Sequence, residues 1–367
     1  MRNLTRRDLQ NILYGCTIMG TGGGGTMSEG MDLIDEAIAS GKEFHLADFD
    51  EVEKDLCIGT PYMCGSVSPP TVEEIEKYAW LPIADKNPFL IAVETLEKVY
   101  GRKLDAVIST ELGGANTASA FYTGAMLDCI IMDGDPAGRS VPALQHSTYF
   151  LDNIPMCPMA VTNKYGESAV FTYVADDTRG EDFVRALAVE SLNTVYVVDH
   201  VNTAEVLKKS VITGSITNAE RIGKAYLEAV EDNKDCAEAI IRAGKGKMMF
   251  KGIIKSNSYE TRAGYTFGDM YITGIENYVG HELKIWYQNE NIISWLDGKY
   301  YVTVPDLIIV MNMDEKFPLL NPYAKEGTVV TVLCLPAPDV WTTKKGLEVF
   351  GPKSFGYNVD WIPFCTK

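Results

Sequence analysis

Two strand-like runs that each end in carboxylates decide how this chain is interpreted. They read VISTELGGAN at residues 107–116 and IIMDGDPAGRSVPALQH at residues 130–146. Each begins with a short apolar stretch bounded by Gly or Pro, which is typical of a buried strand in a parallel sheet. The segment from Thr117 to Leu127 has a helical composition, so together they predict a right-handed βαβ unit.

The polar residues at these strand ends are the first candidates for a site, because ligands of open α/β sheets bind beyond the carboxyl ends of the strands. Paired carboxylates can divide acid and base work, so Glu111, Asp133 and Asp135 are predicted to be catalytic. Asn116 and Arg139 are predicted to bind substrate, Arg139 as a bidentate clamp. Two alternatives stay open: the aspartates could be ordinary turn residues, and Arg139 could form an ion pair at a domain interface.

A glycine run, GTGGGG at residues 20–25, forms the second candidate element. Glycines ahead of a helix let backbone N–H groups turn toward an anion or a carbonyl oxygen, so Gly22, Gly23, Gly24 and Gly25 are predicted to bind substrate. A flexible linker is the alternative. The run is no dinucleotide fingerprint, because no strand precedes it. Helices are expected on both sides of it, capped by Thr5 and Ser28; the later stretch 61–70 is expected to be a turn-rich loop.

Length and composition predict a two-domain globular protein of the α/β plus β-rich class. The chain has 367 residues, of which 46% are hydrophobic and 23% are charged. Residues 1–165 are expected to form an α/β domain with a mostly parallel sheet. Residues 166–367 are expected to be helical at first and β-rich from about residue 245, as a sandwich or partial barrel, because short strand-like runs alternate there with Gly, Asn, Asp and Pro.

The charge pattern excludes some classes of partner. A net charge of -17 argues against nucleic acid, since phosphate binding needs clustered Lys and Arg. No apolar run reaches the roughly 18–20 residues of a membrane span, and no apolar segment follows the charged N-terminus. We therefore expect a cytoplasmic protein that binds a small molecule and neither nucleic acid nor membrane. A homo-oligomer is also expected, as two-domain cytosolic enzymes commonly form symmetric assemblies.

Cysteines and histidines provide the remaining candidates. The eight cysteines include no Cys-x-x-Cys pair, which predicts buried thiols, with Cys64 retained as a candidate reactive thiol. His146 is a candidate ligand or acid/base group, and His200 follows a predicted strand. Asp133, Asp135 and His146 together would suit a divalent metal such as zinc. The alternative is that each histidine is a hydrogen-bonded structural residue.

Several motifs, taken in order, resemble one known family. They are GTGGGG at 20–25, ELGGAN at 111–116, DGDPAGR at 133–139, PALQ at 142–145, QNEN at 288–291, PDLI at 305–308 and GPKSFGY at 351–357. This set is similar to the S-methyl thiohydantoin desulfurase family, whose members occur near or fused to hydantoinase/oxoprolinase-type proteins. That family has an apolar residue, often Met, at the position of His146. A histidine there would change the substrate specificity or supply a ligand.

The resemblance implies a function. It implies hydrolytic removal of methanethiol from an S-methylated thiohydantoin ring, leaving a hydantoin. It also keeps a second hypothesis open, in which the chain is a non-catalytic or regulatory subunit of a hydantoinase/oxoprolinase-like partner. Independently of the resemblance, Asn289, Glu290 and Asp306 are predicted to bind substrate from the second domain, because ligands commonly bind between domains. The alternative is that residues 288–291 are only a polar turn.

Overall fold

The computed structural model describes residues 1–66 and 70–364, and within them two eight-stranded sheets form the framework. The strands are β1 Arg2–Asn3, β2 His45–Ala47, β3 Cys57–Gly65, β4 Ala106–Val107, β5 Ile130–Met132, β6 Gly134–Asp135, β7 Met159–Thr162, β8 Ser168–Phe171, β9 Thr194–Thr203, β10 Ile212–Thr213, β11 Lys247–Arg262, β12 Tyr265–Gly274, β13 Glu282–Gln288, β14 Glu290–Leu296, β15 Lys299–Thr303, β16 Leu307–Asn312, β17 Phe317–Pro318 and β18 Val329–Leu335. The helices are α1 Arg6–Met19, α2 Met27–Ala39, α3 Val72–Lys77, α4 Pro88–Tyr100, α5 Gly114–Met126, α6 Thr148–Asp152, α7 Asp177–Val189, α8 Ala204–Leu207, α9 Ser215–Glu231, α10 Cys236–Gly244, α11 Asp339–Thr342 and α12 Lys344–Phe350.

The first sheet has the order β1-β2-β5-β4-β3-β9-β7-β8. Its neighbours β2, β5, β4 and β3 run parallel, and antiparallel strands flank them on both sides. Strands β4 and β5 are joined by α5, which is the predicted βαβ unit. Because β8 and β9 belong to this sheet, it draws strands from beyond residue 165.

The second sheet has the order β15-β14-β13-β12-β11-β18-β16-β17 and is antiparallel throughout. It curls, so that strands far apart in this order meet. The side chain of Asn291 in β14 donates from Nδ2 to the carbonyl of Ile308 in β16 at 3.0 Å. The predicted fold class, α/β followed by a β-rich half, is confirmed.

The glycine run connects two capped helices. Thr5 caps α1, as predicted, and it does so in a reciprocal capping box with Asp8. The second helix is capped by Thr26, with Glu29 as its partner, so the prediction that Ser28 caps it was wrong by two residues. A Thr followed three positions later by Glu is the stronger signal, because both side chains then bind free N–H groups of the first turn.

The expected turn-rich loop at 61–70 is a second correction. Residues up to Gly65 lie in β3, and residues 67–69 lie outside the described part of the chain. Pro61 is tolerated because β4 pairs only with Ile58 and Gly59, so beyond those residues β3 pairs with β9 alone. Cys365, like residues 67–69, lies outside the described residues.

In the part of the chain that the structure covers, no helix is both long enough and apolar enough to cross a bilayer.

Candidate functional site

A cavity of about 520 Å³ lies between two halves of the chain: the first half, which contains the first sheet, and the second half, which contains the second sheet. The first half contributes the glycine run, β3 and the Glu111 loop, and helix α7 closes one wall. The second half contributes the turn between β13 and β14. The polar residues that line it include Glu29, Tyr62, Cys64, Glu111, Asn116, Lys164, Glu181, Arg185, Asn289 and Glu290. This volume falls within the range of small-molecule sites, and a cavity between domains is a common place for one.

Glu111 is buried at the cavity wall, and both of its carboxylate oxygens are fixed. Asn116 donates from Nδ2 to Oε1 at 2.7 Å, and the backbone N–H of Val141 donates to Oε2 at 2.8 Å. Burial nevertheless raises the pKa of Glu111 to about 7, against the opposing effect of these two donors. A carboxyl with this pKa exchanges its proton near neutral pH, which suits a general base.

Glu290 enters the same cavity from the second half of the chain. Its side chain is 2% exposed, and its Oε2 has no hydrogen-bond partner among the described residues. Burial, and then the charge of Glu111, raise the pKa of Glu290 well above its ordinary value, while Arg139 opposes the rise. The two carboxyls therefore differ in environment: two N–H donors favour the ionised form of Glu111, whereas the unpartnered, buried oxygen of Glu290 favours its protonated form.

The glycine run is held in one conformation by contacts on every side. Gly22 has a φ of +94°, and a Cβ at Gly23 would lie 1.9 Å from Glu290 Oε1. The carbonyl of Gly24 accepts from the N–H groups of Ala115 and Asn116 at 3.1 and 3.2 Å. These contacts rule out the flexible-linker alternative. Gly24 and Gly25 line the cavity, whereas Gly22 and Gly23 pack against residues of the second half.

Two predicted binding residues position their neighbours. Asn116 donates to Glu111 and accepts from the N–H of Met63 at 2.9 Å through Oδ1, so its amide orientation is fixed. Asn289 has a φ of +55°, and its Oδ1 accepts from the N–H of Thr266 at 2.9 Å. Both line the cavity beside the two glutamates.

The aspartates of the DGD motif lie outside this cavity lining. Asp133 accepts from the backbone N–H of Thr217 at 3.1 Å and from its hydroxyl, so it occupies free donors at the N-terminus of α9. Asp135 accepts from the N–H groups of Ala137 and Gly138 at 2.9 and 2.6 Å. Burial raises the pKa of Asp135 to about 6. These contacts correspond to the structural alternative, a cap and a turn. Neither aspartate lines the cavity with Glu111 and Glu290, although the charge of Asp135 contributes to the raised pKa of Glu111.

Arg139 and Asp306 are also outside the cavity lining, at the junction of the two halves. Arg139 is fully buried and bonds to neutral oxygens, with no carboxylate among its hydrogen-bond partners in residues 1–66 and 70–364. Asp306 accepts from the N–H groups of Ala337 and Phe364 at 3.2 and 3.0 Å. Arg139 is thus an interface residue, as the alternative proposed, although it makes hydrogen bonds rather than an ion pair.

The two candidate histidines lie in different buried environments. His146 packs on Phe350 and Phe355 at ring distances of 5.0 and 5.1 Å, and burial lowers its pKa to about 3. Burial also lowers the pKa of His200, but Asp199 and Asp177 outweigh it and raise the pKa to about 10. His200 Nδ1 lies 2.8 Å from Asp199, whose other oxygen accepts from the hydroxyl of Tyr62.

The residues proposed as zinc ligands do not fit a metal ion. Both oxygens of Asp133 and Oδ2 of Asp135 bind N–H or O–H donors, and His146 packs against two phenyl rings. Over the described ranges, no group of three His, Cys, Asp or Glu side chains has the arrangement of a metal site. We therefore derive no step through a metal.

Sequence reasoning missed two charged groups on the cavity wall, Glu181 and Arg185. Arg185 donates from Nε to Glu181 at 2.6 Å, and its Nη1 donates to the carbonyls of Gly65 and Gly264 at 2.6 and 2.8 Å. Tyr265 donates to the same carboxylate at 2.6 Å. An i, i+4 Glu–Arg pair ordinarily signals an exposed helix face, so nothing local indicated a buried wall. Cys64 also lines the cavity, but burial raises the pKa of its thiol to about 12, which disfavours a thiolate nucleophile.

Comparison with known proteins gives a consistent result along the chain. Residues 7–173 match the family model described as S-Me-THD-like, N-terminal domain, and residues 175–364 match S-Me-THD-like, C-terminal domain. No curated protein matches the chain. A crystal structure of a protein from Chromobacterium violaceum is similar with a TM-score of 0.75 and 21% identity, over 99% of this chain and 100% of that chain. At this identity the likeness concerns the fold alone.

Proposed function

Because the chain belongs to the S-Me-THD-like family, the S-methyl thiohydantoin desulfurase family that its motifs resemble, we propose that it hydrolyses a small five-membered, nitrogen-containing ring. The proposed substrate is an S-methyl thiohydantoin, and the products are a hydantoin and methanethiol. The observation that carries this proposal is the pair Glu111 and Glu290, two buried carboxyls in different hydrogen-bonding environments on one cavity.

The proposed reaction balances with one water molecule. Ionised Glu111 takes a proton as the water oxygen attacks the ring carbon that carries sulfur, forming a C–O bond. Protonated Glu290 gives its proton to the ring nitrogen or to the leaving sulfur. The C–S bond then breaks, and the ring carbon becomes a carbonyl as its new hydroxyl gives up its proton. That proton passes to whichever of the ring nitrogen and the leaving sulfur Glu290 did not protonate, so the hydantoin N–H is complete and methanethiol leaves. The proton taken up by Glu111 returns to Glu290 through the product or solvent, which restores both groups.

The remaining cavity residues support this division of work. The donors on Glu111 favour its ionised form, while the unpartnered, buried oxygen of Glu290 favours its protonated form. We propose that backbone N–H groups of Gly24 and Gly25, together with Asn289, bind the ring and its developing charge. Asn116 holds the base in place.

The test is incubation of the purified protein with an S-methyl thiohydantoin in water enriched in ¹⁸O. Methanethiol is trapped with a thiol reagent, and the mass of the ring product is measured by mass spectrometry. We expect stoichiometric methanethiol and one ¹⁸O per hydantoin, with both signals lost in Glu111→Gln. Parallel reactions with a chelator and with added zinc test whether a metal takes part.

Two results would contradict the proposal. Release by Glu111→Gln at the rate of the unmodified protein would show that the activity is a contaminant or uses other groups. Absence of release under all conditions would reject this substrate. Retention of a hydantoinase/oxoprolinase-like protein on a column bearing this chain would then favour the subunit hypothesis.

A further inference from the structure

The buried guanidinium of Arg139 connects three separate segments around Glu290. Its Nη2 donates to the hydroxyl of Thr21 at 2.8 Å and to the carbonyl of Asn291 at 3.2 Å. Its Nη1 donates to the carbonyls of Pro305 and Asp306 at 3.2 and 3.1 Å. Its Nε donates to the carbonyl of Ser140 at 3.0 Å. All five N–H groups of the side chain are therefore used, which a lysine with three donors cannot reproduce.

These contacts meet on both sides of Glu290. Thr21 belongs to the glycine run and accepts from the N–H of Asn291 at 2.8 Å through its carbonyl. Gly23, two residues on, touches the carboxyl of Glu290 itself. On the other side, Asn321 donates from Nδ2 to the carbonyl of Asn289 at 2.7 Å. The backbone that carries Glu290 is thus fixed to the glycine run, and Arg139 holds both.

We propose that Arg139 is a positioning residue of the reaction, which holds Glu290 of the second half against the glycine run of the first half and supplies one of the positive charges that act on its carboxyl. This inference rests on the proposed function. It assigns Arg139 no contact with substrate, in contrast to the clamp expected from the sequence.

The charge environment makes the proposal measurable by pH. The charged or titratable groups that act on Glu290 are Glu111, Arg139 and Arg185. Arg139 is in turn affected by Glu290, Asp306, Cys334 and Glu111, and its own charge acts on His146. Since Arg139 opposes the rise in the pKa of Glu290, its removal raises that pKa further. As the proton donor, Glu290 sets the alkaline limb of the kcat profile, so the limb moves to higher pH.

The experiment compares Arg139→Met, Arg139→Lys and Thr21→Val, with Arg221→Lys on the exposed face of α9 as control. Arg139→Met is expected to shift the alkaline limb up by about one pH unit or more. Arg139→Lys and Thr21→Val keep the charge, so the limb stays while kcat falls on the order of ten- to a hundredfold through misplacement. KM is expected to change far less than kcat in both.

Two results would overturn the proposal. One is an alkaline limb of the kcat profile at the same pH in Arg139→Met and Arg139→Lys. The other is a kcat within twofold of the unmodified protein in both Arg139→Lys and Thr21→Val. If Arg139→Met does not fold, the proposal is tested with Arg139→Lys and Thr21→Val, in which kcat should fall while KM changes far less. The infrared carbonyl band of protonated Glu290, assigned with Glu290→Gln, can be titrated without substrate. It separates failure of this inference from failure of the proposed function, because it reports on Arg139 even if no methanethiol is released.

Discussion

Removing the amide of Asn116 should shift the pH dependence of catalysis in a calculable direction. Asn116 donates to Glu111 Oε1 at 2.7 Å, so Asn116→Ala deletes one hydrogen bond to the ionised base. Such a bond contributes about 1.5–3 kcal/mol, and one pKa unit corresponds to about 1.36 kcal/mol. The pKa of Glu111, about 7 in the intact protein, should therefore rise by about one to two units.

The assay is methanethiol release, expressed as kcat/KM between pH 5.5 and 9.5. Since the base must be ionised, the acidic limb should move up with the pKa of Glu111. At pH 6.5 the variant should be slower by about tenfold or more, and at pH 9.5 the difference should narrow. Ser119→Ala removes a buried hydroxyl of the same helix that bonds to the carbonyl of Ala115, and it should leave the limb in place. An acidic limb that stays or moves down in Asn116→Ala would refute Glu111 as the base.

Three further predictions concern stability and reactivity. Because the folded pKa of Glu111 is raised from 4.5 to about 7, its contribution to stability is present below pH 4.5 and lost as pH rises through 7. In chemical denaturation, the free energy of unfolding of Glu111→Gln relative to that of the unmodified protein should therefore rise by about 3 kcal/mol between pH 4 and 8. If this difference in unfolding free energy is the same at both pH values, the buried charge is contradicted. Asp133→Ala should lower the free energy of unfolding by about 1–2 kcal/mol, since it removes the acceptor for Thr217 at the start of α9; unchanged calorimetry would reject that role. Cys64→Ser should keep activity within a few-fold because the thiol stays protonated, whereas inactivation of the intact protein by low concentrations of iodoacetamide, absent in the variant, would show a reactive thiolate.

The sequence identified the framework wherever the signal was local or was carried by several motifs together. Thr5 marked the start of α1, and the two apolar runs around α5 marked a pair of parallel strands. Pro61 was misleading, because proline predicts a turn while pairing with β9 overrides it. Local composition carries no information about a partner strand more than a hundred residues away.

The candidate site was predicted only in part, for a similar reason. Glu111, Asp133 and Asp135 all follow apolar runs, and the sequence gives no means of ranking them. Their roles differ through tertiary contacts: Thr217 engages Asp133, backbone N–H groups engage Asp135, and Glu111 alone faces the cavity. Glu290 was predicted only because the QNEN motif placed an unexplained carboxylate at a turn.

The most direct test of the central claim compares methanethiol release by Glu111→Gln, Glu290→Gln and Asp133→Asn under identical conditions, with folding checked by circular dichroism. If the buried glutamates share the proton transfers, each glutamine variant should lose about 10²–10⁴-fold in kcat, and Asp133→Asn should stay within a few-fold of the unmodified protein. The opposite pattern, with active glutamine variants and an inactive Asp133→Asn, would contradict the account and return the chemistry to the DGD motif.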